Sequence, residues 1–245
     1  MHEELIGQTK FTFRMLGPQE PLEPIFRLRY QVYSEESHIV KPQEFPDGLI
    51  KDQHDPYALH FTGEDQEGMV AAARLILDSP RGFPLEKQFI DKLDIKPDDL
   101  NHQRLAELSL LVISKRYRRR KYDGLYYAPD SEYLKLGPEG EELKRIRPMA
   151  FGLYREIYQE CKRLGITHYY AVMEEYLYTL LRMHNFVFHA VGKTVVIYVP
   201  VQPYFANIQE SEYKINQKMP KLMEYLLDGL EPQYHPRFPS EANGA

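Results

Sequence analysis

The chain has 245 residues, a formal net charge of −5 and one cysteine, Cys161. A domain of this length can fold without a disulfide, and a lone thiol cannot form one within the chain, so we expect a protein of a reducing, cytoplasmic compartment. The negative charge argues against general nucleic-acid binding. The sequence shows neither a signal peptide nor an apolar run of the roughly 20 residues that a transmembrane helix needs.

The N-terminal half begins with a predicted strand at Lys10–Leu16 and a helix at Pro24–Tyr33, in which apolar residues recur at helical spacing. A loop rich in turn-forming residues, Lys41–Pro56, follows. Two predicted strands at Tyr57–Thr62 and Met69–Leu77 then flank a polar turn, which is typical of a β-hairpin.

The C-terminal half contains the clearest predicted helix, Pro148–Leu164, with a single apolar stripe and Gly165 as its C-cap. Further predicted elements are a strand at Thr167–Met173, a helix at Glu174–Met183, strands at Phe186–Val191 and Thr194–Val201, and a helix at Lys221–Leu227.

No linker divides the chain, so we expect one domain over residues 1–230, with an irregular insertion at 126–147 and a disordered tail at 231–245. Hairpins towards both ends argue against an all-parallel sheet. This order of elements predicts an α/β sandwich with a mixed sheet.

The segment from Arg104 to Gly124 combines an apolar strand with a cationic end. Side chains alternate along a strand, so Glu107 and Ser109 share one face. That face also carries Leu105 and Leu111, and the opposite face carries Ala106, Leu108, Leu110 and Val112.

Burial among leucines raises the pKa of a carboxyl group unless a cation compensates for it. Glu107 is therefore a candidate for proton transfer. The structural alternative is an ion pair of Glu107 with Arg74 or Arg29 inside the sheet.

Five segments, taken in order, resemble acyl-homoserine-lactone synthases and the related N-acyl amino acid synthases, most of all the branch called PEP-CTERM/exosortase system-associated acyltransferases. The segments are LRYQVY at 28–33, DGLIKDQHDP at 47–56, VAAARLIL at 70–77, LAELSLLVISKRYRRR at 105–120 and IYQECKRLGITHYYAVME at 157–174. This resemblance implies a GNAT-like acyltransferase fold, which is a three-layer α/β/α sandwich with a mixed central sheet.

The resemblance also implies transfer of a fatty acyl chain from acyl carrier protein, or from coenzyme A, to the α-amino group of an amino acid or similar amine. Glu107 would be the catalytic base. Ser109 would hold a water or protonate the departing thiolate. The polar residues carried over by position as substrate-binding are Arg29, Asp52, Asp55 and Arg74.

Each of these polar residues has a structural alternative. A guanidinium matches a carboxylate through two hydrogen bonds, so Arg29 or Arg74 could hold the carboxylate of an amino-acid acceptor. Scaffolding with Asp52 and Asp55 is the other possibility. The Asp-Gln-His-Asp run at 52–55 has no matching ligands elsewhere, and we therefore expect no metal.

Two positions depart from the lactone synthases. Leu110 stands where that family has an arginine after Glu-Leu-Ser, and Ile39 stands near its N-terminal tryptophan. Both positions help to shape the S-adenosylmethionine pocket in the family. The differences weaken the interpretation as a lactone synthase.

The basic run Lys115–Lys121 has three interpretations: it could bind the phosphopantetheine of the donor, dock an acidic carrier protein, or be a solvated strand end. Cationic side chains such as Arg119 and Lys121 replace the usual small residues of the family's phosphate loop. The residues assigned to the acyl donor and its pantetheine are Val112, Arg118, Arg119 and Arg120, and those assigned to carrier-protein docking are Arg155, Lys162 and Arg163.

An acyl chain also needs an apolar slot. The candidates are Leu111, Val112, Tyr169, Ala171 and Phe186, although any hydrophobic core would show the same residues. The sequence thus predicts an N-acyltransferase that makes an N-acyl amino acid. The alternatives are a homoserine-lactone synthase that uses S-adenosylmethionine, and a non-catalytic module that binds an acyl ligand or a carrier protein.

Overall fold

A mixed sheet forms the centre of the computed structural model, which describes residues 1–6, 9–117 and 149–238. Its strands are β1 (His2–Ile6), β2 (Thr9–Met15), β3 (Ala58–Asp65), β4 (Gly68–Ile76), β5 (Leu105–Ile113), β6 (His168–Met173), β7 (His189–Ala190), β8 (Val195–Val196) and β9 (Pro200–Asn207). The strand order is β1-β2-β3-β4-β5-β6-β9-β7, and β8 pairs with β9. Strands β5 and β6 are parallel, and the other pairs are antiparallel.

Helices cover both faces of this sheet. They are α1 (Glu23–Tyr30), α2 (Pro84–Gln88), α3 (Met149–Leu164), α4 (Glu175–Met183), α5 (Ile208–Lys218) and α6 (Pro220–Leu227), and a π-helix, Gln31–Glu36, continues α1. We call the face under α1 and α2 the front, and the face under α3, α5 and α6 the back. Within the described residues, none of the helices has the length and apolar character needed to cross a bilayer.

Helix α3 lies directly on the back of the sheet because its apolar stripe is continuous and one position carries no side chain. A Cβ added at Gly152 would lie 2.5 Å from the ring of Phe13 in β2. The helix ends at Gly165, whose φ of 70° is one that glycine adopts without strain. The structure confirms the predicted helix and its C-cap. The close approach at Gly152 was not predicted.

Several boundaries differ from the predictions. Strand β9 continues to Asn207, and its extra residues pair with β6. Helix α5, which follows at once, was not predicted: its apolar residues are few and the Asn207 side chain caps its first turn. The insertion predicted at residues 126–147 lies outside the described residues.

The predicted disordered tail begins too early. A 3₁₀ turn spans Pro232–Tyr234, and Tyr234 and Phe238 pack against the back-face core. Glu231 is also held by Arg163, with 3.0 Å between Arg163 Nε and Glu231 Oε2. The aromatic residues of this proline-rich segment therefore find apolar surface. The rest of the tail, residues 239–245, lies beyond the described part of the chain.

Strand β5 changes face at Leu110. Arg74 pairs with Ser109, and the next pair along these strands is Ala72 with Val112. Between the two pairs, β4 has one residue and β5 has two. The extra residue is absorbed in a β-bulge at Leu110, whose φ is 49°. As a result, Leu111 packs against the back-face core, and Val112 packs on the front under α1. The predicted alternation is wrong for these two residues.

A gap opens in the sheet beside this bulge. Strands β5 and β6 pair from Leu105–His168 to Leu108–Ala171 and no further. Beyond Leu108 and Ala171 the two parallel strands no longer bond to each other. The gap therefore lies at the carboxyl ends of two neighbouring parallel strands, which is the usual position of a ligand site in an open α/β sheet.

Candidate active site

A cavity of about 390 Å³ occupies the gap between β5 and β6. Its walls include Leu108–Leu111 and Ala171–Glu174, the segments around and beyond the last paired residues. Tyr33 and Ile39 line it from the front, and residues of α3, α5 and α6 line it from the back. The cavity therefore crosses the plane of the sheet, and one bound molecule could reach both faces.

The back part of the cavity is mainly apolar, and we call it the back slot. Its residues include Tyr154, Ile157, Tyr169, Ile215, Met223 and Leu226. Each methylene buried in such surroundings contributes about 0.8 kcal/mol. Of the five residues considered for an acyl slot, Leu111, Tyr169, Ala171 and Phe186 line the cavity, and Val112 does not.

On the front side, Arg74 and Ser109 line the cavity together. The Arg74 Nε–H donates to Ser109 Oγ at 3.0 Å. Nη1 and Nη2 of Arg74 donate to the Asp52 carboxylate at 2.7 and 3.0 Å, and Nη1 also donates to Asp55 Oδ1 at 2.9 Å. Four donor contacts of one guanidinium are thus used inside the protein. Arg74 therefore has few N–H donors left to hold the carboxylate of an acceptor, which is the role predicted for it.

Arg29 belongs to the same cluster of charges but lies deeper. Its side chain is 0% exposed, and its Nη1 donates to Asp55 Oδ1 at 2.9 Å. Asp55 Oδ2 accepts from the backbone N–H of Asp52 at 2.8 Å. Arg29 is not among the residues that line the cavity. The Arg29–Asp55 contact ties the loop before β3 to α1, as the scaffolding alternative expects, and the substrate-binding role of these two residues stays a prediction.

This cluster favours the charged form of Asp52. Burial by itself raises the pKa of Asp52, but the hydrogen bonds and charge of Arg74 outweigh it and hold that pKa below its ordinary value. Burial likewise lowers the pKa of Arg74, and the two aspartates reverse the shift and raise it. Burial lowers the pKa of His60, whose Nε2 lies 3.1 Å from the backbone oxygen of Asp55.

Glu107 is buried as expected, but it does not face the cavity. Its side chain accepts a hydrogen bond from the backbone N–H of Leu85 at 2.9 Å, at the start of α2. In the sheet it lies between Ile76 of β4 and Tyr170 of β6. Burial raises the pKa of Glu107 to about 8, although the Leu85 N–H and Arg74 act in the opposite direction.

A catalytic base has to reach the substrate, but Glu107 is not among the residues that line the cavity. The reason is local: α2 covers this part of the front face and its N-terminal amide binds the carboxyl group. The catalytic role of Glu107 stays a prediction. Ser109, two residues further along the same face, does line the cavity.

The three residues predicted to dock a carrier protein do not form a free cationic surface. Arg155 is buried, stacks over Tyr225 and lies 3.3 Å from Asp228. Lys162 Nζ lies 2.6 Å from Glu212, and Arg163 pairs with Glu231. Acidic residues distant in sequence neutralise all three. Of the residues predicted for the acyl donor, Arg118, Arg119 and Arg120 lie outside the described part of the chain.

Sequence reasoning missed Glu174 as a site residue. It follows the last residue of β6, precedes α4 and lines the cavity. Burial raises the pKa of its carboxyl group to about 7. A glutamate just before an amphipathic helix reads as an ordinary helix start. The useful clue is that Glu174 directly follows the predicted strand Thr167–Met173, because ligand sites lie at the carboxyl ends of strands in open α/β sheets.

No group of three or more His, Cys, Asp or Glu side chains in the described residues is placed to hold a metal ion. Asp52 and Asp55, the acidic residues of the 52–55 run, are committed to Arg74 and Arg29.

Residues 24–128 match the family model "N-acyl amino acid synthase FeeM". That range includes the predicted residues Arg29, Asp52, Asp55, Arg74, Glu107 and Ser109. The match confirms the predicted resemblance to the N-acyl amino acid synthases. No curated protein sequence matches the chain.

Solved structures share the fold at low sequence identity. A CoA-dependent acyl-homoserine lactone synthase, BjaI, solved with SAM and isopentyl-CoA, is 15% identical with a TM-score of 0.59, over 90% of this chain and 89% of that one. FeeM, an N-acyl amino acid synthase from uncultured soil microbes, is 14% identical with a TM-score of 0.55, over 84% and 94%. These likenesses confirm the predicted GNAT-like fold.

Proposed function

We propose that this N-acyltransferase, a relative of the N-acyl amino acid synthases and autoinducer synthases, moves a long-chain fatty acyl group from a thioester to the α-amino group of an amino acid or similar amine. The observation that carries the proposal is the cavity that crosses the sheet. Its back slot suits a hydrocarbon chain, and its front side offers Ser109 and the charge cluster. The thioester carbon would then lie in the gap between β5 and β6.

Two apolar residues favour an amino-acid acceptor over S-adenosylmethionine. Ile39 and Leu110, which replace a tryptophan and an arginine of the lactone synthases, both line the cavity. The leucine at position 110 removes a cation from the cavity lining. A bulky sulfonium substrate would lose both contacts, and a small amine needs neither.

The donor is an acyl thioester of acyl carrier protein or of coenzyme A. Both carry the same phosphopantetheine arm, for which the sequence offers the basic run Lys115–Lys121. Lys115 is exposed at the end of β5, and its backbone N–H donates to Glu36 at 2.9 Å. A link to an exosortase system rests on the sequence resemblance alone.

Ser109 has a direct role in this proposal. Its oxygen accepts from Arg74, so its own proton is free to donate to the thioester oxygen or to the departing sulfur. Donors fixed at the place where charge develops stabilise the transition state without further reorganisation. The Arg74–Asp52–Asp55 cluster would act by holding that hydroxyl in place.

The experiment is a matrix of donors and acceptors. Purified protein is incubated with acyl carrier protein or coenzyme A thioesters of several chain lengths, each with a set of amino acids or with S-adenosylmethionine, and products are identified by mass spectrometry. We expect N-acyl amino acids from a long-chain donor. Formation of acyl-homoserine lactone would favour the alternative synthase activity, and absence of any acylated amine would refute the proposal.

A further inference from the structure

We propose that Glu174 is the general base of the acyl transfer, taking the proton from the attacking amine on the front side of the gap. This inference rests on the proposed function and names a catalytic residue for it. Three observations carry it: the position of Glu174 in the sheet, its free carboxylate, and the engagement of the other carboxylates nearby.

The position follows from the register of the two parallel strands. Leu108 and Ala171 form the last pair. The next residues, Ser109 on β5 and Val172 on β6, line the cavity from the two sides of the gap. Glu174 comes directly after β6 in extended conformation, with φ −71° and ψ 152°. Side chains alternate along β6, so Glu174 falls on the same face as Val172, which packs with the front-face cluster. Ser109 lies on that face across the gap.

The carboxylate of Glu174 has no hydrogen bond or ion pair to another side chain within the described residues. It does not cap α4, although it occupies the N-cap position. Glu212 is the other carboxylate that lines the cavity in the described residues. It accepts hydrogen bonds from Tyr158 at 2.7 Å and from Lys162 at 2.6 Å. Glu107 is held by the Leu85 amide away from the cavity. Glu174 is thus the carboxylate placed to meet a substrate.

The surroundings of Glu174 suit proton transfer near neutral pH. Burial is the one cause that raises the pKa of its carboxyl group to about 7. Other ionisable groups line the cavity. On the front and at the mouth they are Tyr33 after α1, Arg74 of β4, Tyr176 of α4 and Tyr198 before β9, and at the back they are Tyr154, Tyr158, Tyr169 and Glu212. A base works best when its pKa lies close to the operating pH.

The step is balanced without any further reactant. The amine nitrogen forms a bond to the thioester carbon, and the carbon–sulfur bond breaks. The proton lost by nitrogen goes to Glu174, and the departing thiolate takes up one proton. Overall, one proton moves from nitrogen to sulfur, and the carboxyl group returns to its ionised form.

The test compares Glu174→Gln with Glu175→Gln, a neighbouring exposed glutamate outside the cavity. We expect Glu174→Gln to lower kcat for N-acylation at pH 7 by about 100-fold or more. The deficit should shrink as the pH rises, because solvent then deprotonates the amine. The KM for the acyl donor should stay the same, and Glu175→Gln should behave as the unaltered protein.

The outcomes separate this inference from the proposed function. If the unaltered protein acylates an amine and Glu174→Gln keeps its kcat and its pH profile, Glu174 is not the base and the function stands. A deficit that is equal at every pH would also overturn the inference, since it indicates a structural role. If the unaltered protein acylates no amine, the proposed function itself fails.

Discussion

Arg74 and Ser109 face each other across β4 and β5, and the Arg74 Nε–H donates to Ser109 Oγ at 3.0 Å. Since two aspartates fix the rest of the guanidinium, this bond also fixes the rotamer of the serine. The hydroxyl proton is not needed for this bond, and Ser109 lines the cavity. The Ser109 side chain is therefore held in one orientation, in which its hydroxyl can donate a hydrogen bond.

Removal of this hydroxyl should slow the chemical step. We expect Ser109→Ala to lower kcat by about 100-fold, as loss of one fixed donor does in other acyl transfers, with little change in thermal stability. Ser114→Ala is the control. Ser114 directly follows β5, but it lies outside the cavity and bonds to Gln31 and Glu36. Equal losses in the two variants, measured in single-turnover assays, would contradict a catalytic role for Ser109.

Two arginines of α1 should differ sharply in their contribution to stability. Arg29 is 0% exposed and bound to Asp55, so Arg29→Met leaves a buried carboxylate short of a partner and should lower the free energy of unfolding by about 3–5 kcal/mol. Arg27 forms an exposed i,i+4 pair with Glu23, and Arg27→Met should cost about 0.5 kcal/mol or less. Urea unfolding measures both. Similar costs would show that the buried cluster is not a structural anchor.

The stability of the fold should depend on pH through Glu107. Its pKa is about 8 in the folded protein and about 4.5 in the unfolded chain, so the folded state holds the proton more tightly. Ionisation is therefore unfavourable to folding. The stability contributed by the neutral form is complete below pH 4.5 and falls as pH rises towards 8.

Glu107→Gln removes this dependence, because the amide stays neutral and its oxygen can still accept from Leu85. We expect the variant to gain stability over the unaltered protein by about 1.4 kcal/mol per pH unit between pH 5 and 8. Denaturant unfolding at several pH values gives the difference. A difference that does not change with pH would mean that Glu107 has an ordinary pKa.

The bulge at Leu110 should restrict which residues that position accepts. A β-branched side chain is strongly disfavoured at a positive φ, so Leu110→Ile should destabilise the protein by about 1–3 kcal/mol and reduce acyl transfer. Leu108→Ile, two residues earlier in regular strand, should cost less than about 1.5 kcal/mol. If the two variants unfold alike, the left-handed conformation at Leu110 is not required.

The depth of the back slot should set the preferred acyl chain. Met223 lines it, and Met223→Phe adds bulk there, so the preferred donor should become shorter while turnover of short donors persists. Each methylene that no longer fits forfeits about 0.8 kcal/mol, or roughly fourfold in kcat/KM. Met219 is buried nearby but does not line the cavity, and Met219→Phe should leave the preference unchanged. An unaltered preference in Met223→Phe would place the acyl chain elsewhere.

The alternation of β5 could be predicted from sequence only as far as Ser109. A positive φ at a leucine has no marker in the sequence, because leucine is not selected for that conformation. The faces predicted for Leu111 and Val112 are therefore inverted in the structure. The bulge is also what keeps Leu110 and Leu111 at the cavity.

The sequence shows which residues are basic, but it does not show whether acidic residues already pair with them. The basic residues of α3 were correctly recognised as basic, but their partners, Glu212, Asp228 and Glu231, come from segments 50 or more residues later. The buried state of Glu107 followed from its apolar neighbours. Its enclosure by α2 did not, because that contact is made by a backbone amide, which any residue except proline would supply at position 85.

The parting of β5 and β6 leaves two main-chain edges facing each other inside the protein. Beyond Leu108 and Ala171 the strands do not bond to each other, so amide and carbonyl groups along the gap lack a neighbouring strand. A guest with its own peptide-like links could complete the sheet there as an added strand, in the manner of β-augmentation. A pantetheine arm contains such links and a plain fatty acid does not. The free acid would therefore be a weak competitor for the donor, however well its tail fits.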